Sequence, residues 1–190
     1  MAEFSYIMKQ NFLESFDTLK NTSYDKENSV YMCQSELLVV DFDKVTRLLN
    51  PKKQPSSYDT LIVEEKRKKV FCVEFKNQKQ SDISNINLHK KIKNSEDTFR
   101  EIFSKHHVKK EKYTFILCIV YKSTPLKYRY RRFKENIIHF QLEQYKGKYF
   151  DKIITNDIVF FKKEFQKNYG CNSLDNKPKI NNERTTHVSK

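Results

Sequence analysis

The chain contains very few glycines. Among its 190 residues, glycine occurs only at Gly147 and Gly170. Walker-type phosphate-binding loops and the fingerprint of dinucleotide-binding domains both need several glycines, because the backbone must approach the phosphate closely. The sequence therefore excludes both motifs, and with them most nucleotide-binding enzymes.

Cysteine pairs and long apolar runs are also missing. The four cysteines include no CxxC pair, and Cys72 and Cys118 lie inside apolar runs, where a thiol packs as a small hydrophobe. This pattern predicts a reducing compartment and no structural zinc. No segment approaches the roughly 18 consecutive apolar residues of a membrane span, and the N-terminus lacks the basic-then-apolar layout of a signal peptide. We therefore expect a cytoplasmic protein without a membrane partner.

Positive charge is abundant. The formal net charge is +13 and the isoelectric point is about 9.5, which favours a polyanionic partner, because lysines and arginines that meet phosphates release condensed counterions. Charge alone ranks nucleic acid first and an anionic membrane surface second. The length suits one domain, which we place at residues 1–170. The polar composition of residues 171–190 predicts a disordered tail.

Apolar spacing predicts the helices. The stripe within residues 4–20 is typical of an amphipathic helix, and a longer one is expected over residues 82–107 with Asp82 as its N-cap. A short helix is expected near residues 158–168. Residues 30–50 are ambiguous between helix and strand.

Other runs predict strands. Residues 60–64 and 69–75 are rich in β-branched and aromatic side chains and are joined by a charged turn, which indicates a hairpin. Residues 113–121 form the most apolar run and indicate a central strand. Residues 137–143 alternate and are another strand candidate. The order of elements predicts an α/β fold with a small mixed sheet flanked by helices.

Charged groups stand at the ends of the predicted hairpin strands. Asp59 opens the first strand and Glu74 lies near the end of the second, so a tight hairpin brings both to the same end of the sheet. Two carboxylates at such a short distance repel each other unless one is protonated or a cation lies between them. Mg²⁺ is the usual cation in phosphate chemistry. Lys76 emerges on the same strand face as Glu74. Its ammonium group can orient water and offset charge on a phosphate.

Asp59 followed by Glu74–Phe75–Lys76 resembles the signature of the PD-(D/E)xK nuclease superfamily, over roughly residues 30–145. The resemblance implies a restriction-endonuclease-like core, with Asp59 and Glu74 as ligands of Mg²⁺ or Mn²⁺ and Lys76 assisting the water. Tyr58 stands where many members have proline. Many enzymes with this core act as dimers, so a homodimer is one expectation.

The resemblance also implies accessory groups. Family members usually add a carboxylate from an upstream helix. The candidate here is Glu36, and Asp41 and Asp43 are its competitors. Gln78 follows the motif at a spacing where some branches place a glutamine near the site.

The motif has competing interpretations. Residues 64–66 and 175–177 also satisfy the acid-x-lysine pattern, but they lie in the hairpin turn and in the tail. Asp59 alone is compatible with a turn-capping aspartate, and Glu74 with Lys76 is compatible with a solvated pair.

A basic run with interleaved aromatic residues, 126–134, is a second candidate for nucleic-acid contact, and its alternative is a solvated helix or loop face. Its candidate residues are Lys127, Arg129, Tyr130, Arg131 and Arg132.

These observations predict a metal-dependent nuclease that hydrolyses phosphodiester bonds, with DNA preferred to RNA as the substrate. One alternative is a non-catalytic nucleic-acid-binding module on the same fold. The other is a protein-interaction domain whose charge serves solubility. The first two differ in metal binding that depends on Asp59, and the third would retain no nucleic acid at low salt.

Overall fold

A computed structural model describes residues 3–123 and 137–169. The basic run 126–134 and the predicted tail 171–190 lie outside the described residues. Within the described part, no helix is both long enough and apolar enough to cross a membrane.

The centre of the fold is a mixed sheet of six strands, in the order β1-β4-β5-β6-β7-β8. The strands β1, β4, β5 and β6 pair antiparallel, whereas β6, β7 and β8 pair parallel. A separate two-stranded hairpin is formed by β2 and β3. The strands are β1 Phe16–Thr18, β2 Tyr24–Asp25, β3 Val30–Tyr31, β4 Leu38–Asp41, β5 Thr60–Glu64, β6 Lys69–Lys76, β7 Thr114–Tyr121 and β8 Lys152–Asp157.

Helices cover both faces of this sheet. They are α1 Phe4–Asn11, α2 Leu19–Thr22, α3 Phe42–Leu49, α4 Asn85–His106 and α5 Ile158–Tyr169. The longest, α4, connects the parallel strands β6 and β7, as a parallel pair requires. The predicted α/β class with a mixed sheet and flanking helices is confirmed.

Strand alternation divides the core into two layers. Cys72 of β6 and Leu117 of β7 pack with α1, α3 and α4, a side that we call the α4 face. Their neighbours Val73 and Cys118 pack with α2 and α5 on the opposite side, the α5 face. Since side chains alternate along β6, Glu74 and Lys76 belong to the α4 face.

Several predicted elements are confirmed. The hairpin of residues 60–64 and 69–75 is β5 and β6, the central strand is β7, and the final helix is α5. The long predicted helix is α4, but it begins at Asn85, because the Ser84 side chain, rather than that of Asp82, accepts the N-cap hydrogen bond. The ambiguous segment contains β3, β4 and α3.

The prediction of one helix over residues 4–20 is wrong. α1 ends at Asn11, and the chain then forms strand β1, in which Phe16 pairs with Val40 of β4. Thr18 caps the short helix α2 with its side chain. Pairing with the sheet outweighs the helical spacing of the apolar residues in this segment.

The predicted strand at 137–143 is also wrong. Phe140 and Gln141 have positive φ angles of 65° and 56°, which interrupt an extended backbone. Leu142 is nevertheless fully buried, so the alternation reflects packing of an irregular segment. On the side away from β6, strand β7 pairs with β8, which was not predicted.

Candidate functional site

The hairpin of β5 and β6 brings Asp59 and Glu74 together. The last paired residues of the two strands are Thr60 and Val73, and Asp59 and Glu74 each lie one residue beyond that pair. The Asp59 Oδ2 atom accepts a hydrogen bond of 2.6 Å from the backbone N–H of Phe75. Asp59 thus satisfies a donor beyond the end of the paired strands, which fixes its carboxylate against β6.

Glu74 is held between two ammonium groups. Its side chain is only 1% exposed, and its Oε1 atom lies 2.8 Å from Nζ of Lys76 and 2.8 Å from Nζ of Lys91. Its Oε2 atom accepts a hydrogen bond of 2.9 Å from Lys91. Oε1 is not aligned for a hydrogen bond with either ammonium group. Glu74 and Lys76 therefore share one face, as the strand spacing predicts.

Lys91, on α4, was not singled out from the sequence as a site residue. Its Nζ atom also lies 3.3 Å from Oδ1 of Asp59, so one ammonium group bridges the two carboxylates. Only 19% of its side chain is exposed, whereas its neighbours Lys90 and Lys93 are exposed. A cation therefore lies between the paired acids, and it is a lysine.

The helical phase of Lys91 was the available signal. It follows Leu88 by three residues and precedes Ser95 by four, and both of these are buried. That spacing puts Lys91 on the inward stripe of α4. The other lysines of the helix do not share this position.

Burial and like charge perturb the acids of the site. Burial raises the pKa of Asp59, the nearby charge of Glu74 raises it further, and the pKa reaches about 7 despite the opposing effects of Lys91 and the Phe75 N–H group. Burial alone would lower the pKa of Lys91, but the charges of Glu74 and Asp59 outweigh it and raise that pKa. Lys91 therefore stays charged, and Asp59 can gain or lose a proton near neutral pH.

These groups lie in the wall of an open, polar cavity of about 380 Å³. It is lined by Asp59, Lys91 and residues 74–78, together with residues 22–28 and Met32. Gln78, the predicted accessory residue, is exposed and also lines the cavity. The paired acids therefore border a cavity that is open to solvent.

The predicted upstream acid, Glu36, does not line the cavity. Its side chain is 66% exposed and pairs with Lys20 at 3.3 Å. Asp41 caps α3, and Asp43 accepts hydrogen bonds from the backbone and side chain of Ser57. The upstream acids that line the cavity are Asp25 and Glu27.

Asp25 is already saturated with donors. Its carboxylate accepts hydrogen bonds from the backbone of Glu27 and Asn28 and from the side chains of Asn28 and Asn77. Burial by itself would raise its pKa, but these bonds outweigh that effect and hold the pKa below the usual range. The sequence offered no local signal for the Asp25–Asn77 contact, because 52 positions separate the two residues.

Within residues 3–123 and 137–169, no group of three or more His, Cys, Asp or Glu side chains is arranged to hold a metal ion. The two-carboxylate set of Asp59 and Glu74 suits Mg²⁺, which commonly binds through one or two carboxylates and keeps several waters. The candidate nucleic-acid residues Lys127, Arg129, Tyr130, Arg131 and Arg132 lie outside the described part.

Comparisons with protein-family models, with curated proteins and with solved structures find no match to this chain. The function must therefore be inferred from the geometry and chemistry of the site.

Proposed function

We propose that the protein is a metal-dependent nuclease that hydrolyses phosphodiester bonds, with DNA as the preferred substrate over RNA. The observation that carries this proposal is the convergence of Asp59, Glu74 and Lys76 on one cavity wall. Two acids and a lysine beside an open polar cavity suit the chemistry of a phosphate ester, because the acids can hold a hard cation and the lysine can offset phosphate charge.

The order of elements supports a restriction-endonuclease-like core. Strands β4, β5 and β6 pair antiparallel, α4 follows, and β7 lies parallel to β6. The PD-(D/E)xK resemblance implies the same succession of a three-strand meander, a helix and a strand. Asp59 and Glu74 lie at the strand ends where that resemblance expects metal ligands.

Asp59 and Glu74 would hold Mg²⁺ or Mn²⁺ through carboxylate oxygens, which are the ligands these ions prefer. A bound ion of this kind supplies Lewis-acid chemistry and lowers the pKa of water. The surroundings of Glu74 favour such a role, because both of its carboxylate oxygens lie beside positive charge at the cavity.

The lysines have separable roles. Lys91 now balances the charge of the two acids and would have to withdraw from between them when a divalent cation binds. Of the two acids, Lys76 contacts Glu74, and it also lines the cavity. We assign Lys76 to orienting water and stabilising phosphate charge, and Lys91 to balancing the charge of the two acids in the absence of a divalent cation.

The cation between the acids also gives the alternative a specific basis. Asp59, Glu74, Lys76 and Lys91 sum to zero charge when all are ionised, so the site is balanced without a metal. A non-catalytic nucleic-acid-binding module needs no metal ion here, so a charge-balanced set of side chains is sufficient for it. Calorimetric titration of Mn²⁺ into wild type and Asp59→Asn separates the two proposals, since only the nuclease requires binding that depends on Asp59.

Activity is tested with a panel of linear, circular and single-stranded DNA and of RNA, each with EDTA, Mg²⁺ or Mn²⁺. Wild type is expected to cleave DNA only with a divalent cation, and Lys76→Ala should lose cleavage but keep most DNA binding. Lys93→Ala, which removes an exposed lysine of α4, is the matched control for charge. Cleavage in EDTA, or equal rates for wild type and Lys76→Ala, would count against the assignment.

A further inference from the structure

The β2–β3 hairpin contributes to the same cavity as the acids. Residues Thr22–Asn28 line the same cavity as Asp59 and Glu74. The hairpin is short, with Tyr24 opposite Tyr31 and Asp25 opposite Val30. A ligand that fills the cavity would therefore lie between this hairpin and the acids.

The hairpin is anchored at two points. The buried side chain of Ser23 donates to the Cys33 carbonyl and accepts from the Cys33 N–H group, which closes its base. At the cavity, Asn77 donates a hydrogen bond of 2.9 Å to Asp25. Since Asn77 directly follows β6, this bond ties the hairpin to the strand that carries Glu74. A surface held in this way is preorganised for a ligand.

The hairpin presents aromatic surface beside cations. The rings of Tyr24 and Tyr31 have centroids 4.5 Å apart and are tilted by 32°. Tyr31 is 40% exposed, and Nζ of Lys20 lies 5.5 Å from its ring centroid. Lys26 lines the cavity in the turn of the hairpin. Flat aromatic rings with neighbouring ammonium groups are the groups that bind unpaired bases and their phosphates.

A paired base cannot use such a surface, because its faces are covered by its neighbours in the duplex. An unpaired base has free faces, and stacking on an aromatic ring is largely independent of its identity. An exposed aromatic ring of this kind would thus bind single-stranded nucleic acid in preference to a duplex.

We propose that the β2–β3 hairpin is a stacking platform that holds an unpaired nucleotide next to the phosphate bound at the acids. This inference rests on the proposed function, and it names the substrate class as nucleic acid that is single-stranded at the position of cleavage. Tyr31, which pairs with the cavity-lining Tyr24, provides the stacking surface at the edge of the cavity, and Lys26 meets a flanking phosphate.

The test measures binding and cleavage separately. A 12-nucleotide DNA with one 2-aminopurine, alone or in a duplex, is titrated with wild type, Tyr31→Ala, Tyr31→Leu and Tyr31→Phe in EDTA. The control is Tyr6→Ala, which removes a tyrosine that is 57% exposed on α1. Tyr31→Ala and Tyr31→Leu should bind the single strand roughly 5- to 150-fold more weakly, from the range of base–aromatic stacking. Tyr31→Phe, Tyr6→Ala and all duplex affinities should stay within about twofold of wild type, by our estimate from the same stacking range.

Equal single-strand affinities of Tyr31→Leu and wild type would overturn the platform, as would an equal loss on single strand and duplex. The same proteins are then assayed with Mn²⁺ on both substrates. Absence of cleavage by wild type, with the Tyr31-dependent binding intact, would refute the nuclease and leave the platform standing. Cleavage of duplex and single strand at equal rates would refute the stated substrate class.

Discussion

Replacing Lys91 with methionine removes the ammonium group that bridges Asp59 and Glu74 and retains a side chain of similar length. In wild type the ammonium lies 3.3 Å from Asp59 and 2.8 Å from Glu74. Without it, two carboxylates in a largely buried site lose their shared counter-ion, and Lys76 remains beside Glu74. We therefore expect the variant to be less stable wherever both acids are ionised.

The size of the effect follows from the burial of the group. Removing one partner of a buried ion pair costs about 3–5 kcal/mol, and the 19% exposure of Lys91 with the remaining Lys76 puts the expected loss near the lower limit. At pH 8 the free energy of unfolding should fall by about 3 kcal/mol. A divalent cation at 100 times its dissociation constant should restore about 2.7 kcal/mol, because it binds only the folded state.

Urea unfolding at pH 8, with and without Mg²⁺, measures both quantities for wild type, Lys91→Met and the control Lys93→Met. The midpoint of Lys91→Met should drop without Mg²⁺ and recover with it, and Mg²⁺ should stabilise this variant more than wild type because no lysine competes for the acids. Lys93→Met should unfold like wild type. The reasoning is refuted if Lys91→Met is as stable as wild type, or if Mg²⁺ stabilises the two equally.

Three further predictions concern pH, the hairpin and α4. The pKa of Asp59 is raised from 3.8 to about 7, so between these pH values the folded state binds more protons than the unfolded state. Ionisation of Asp59 therefore lowers the free energy of unfolding as the pH rises from about 4 to 7, by at most about 4 kcal/mol. Asp59→Asn should flatten that part of the stability profile, and an unchanged slope in urea titrations would contradict the raised pKa. Asn77→Ala removes the bond to Asp25 and should speed amide hydrogen exchange in residues 24–31 while the core strands keep their protection; unchanged exchange would show that the bond does not anchor the hairpin. Ser84→Ala removes the N-cap of α4 and should lower the free energy of unfolding by about 1 kcal/mol, whereas a loss below a few tenths in urea unfolding would show that Ser84 is not a working cap.

The sequence predicted the hairpin of β5 and β6, the central strand β7 and the approach of Asp59 to Glu74, because these depend on strand spacing and a tight turn. It did not predict β1, because Phe16 lies in a helical pattern and becomes a strand only through its pairing with Val40. Such pairing joins residues far apart in the chain. No local sequence pattern indicates such a pairing.

The site was predicted unevenly for the same reason. Lys76 follows Glu74 by two positions, so the strand alone determines its face. Lys91 comes from a helix packed across that face, and a lysine on a helix usually indicates a solvated surface. The upstream acid was assigned to Glu36 by family resemblance, whereas strand β2, which lines the cavity, carries Asp25.

The central claim is that Asp59 and Glu74 support metal-dependent cleavage of nucleic acid. The most direct measurement is the single-turnover rate of cleavage of a labelled single-stranded DNA in Mn²⁺ by wild type, Glu74→Gln and Glu36→Gln, with folding checked by circular dichroism. Mutating a residue that only orients a metal ligand typically lowers metal affinity or activity by about 10- to 100-fold. Replacement of a ligand itself, in Glu74→Gln, should therefore slow cleavage by about 100-fold or more. Glu36→Gln changes a residue outside the cavity and should cleave at the wild-type rate. A folded Glu74→Gln protein that cleaves at the wild-type rate would contradict the account.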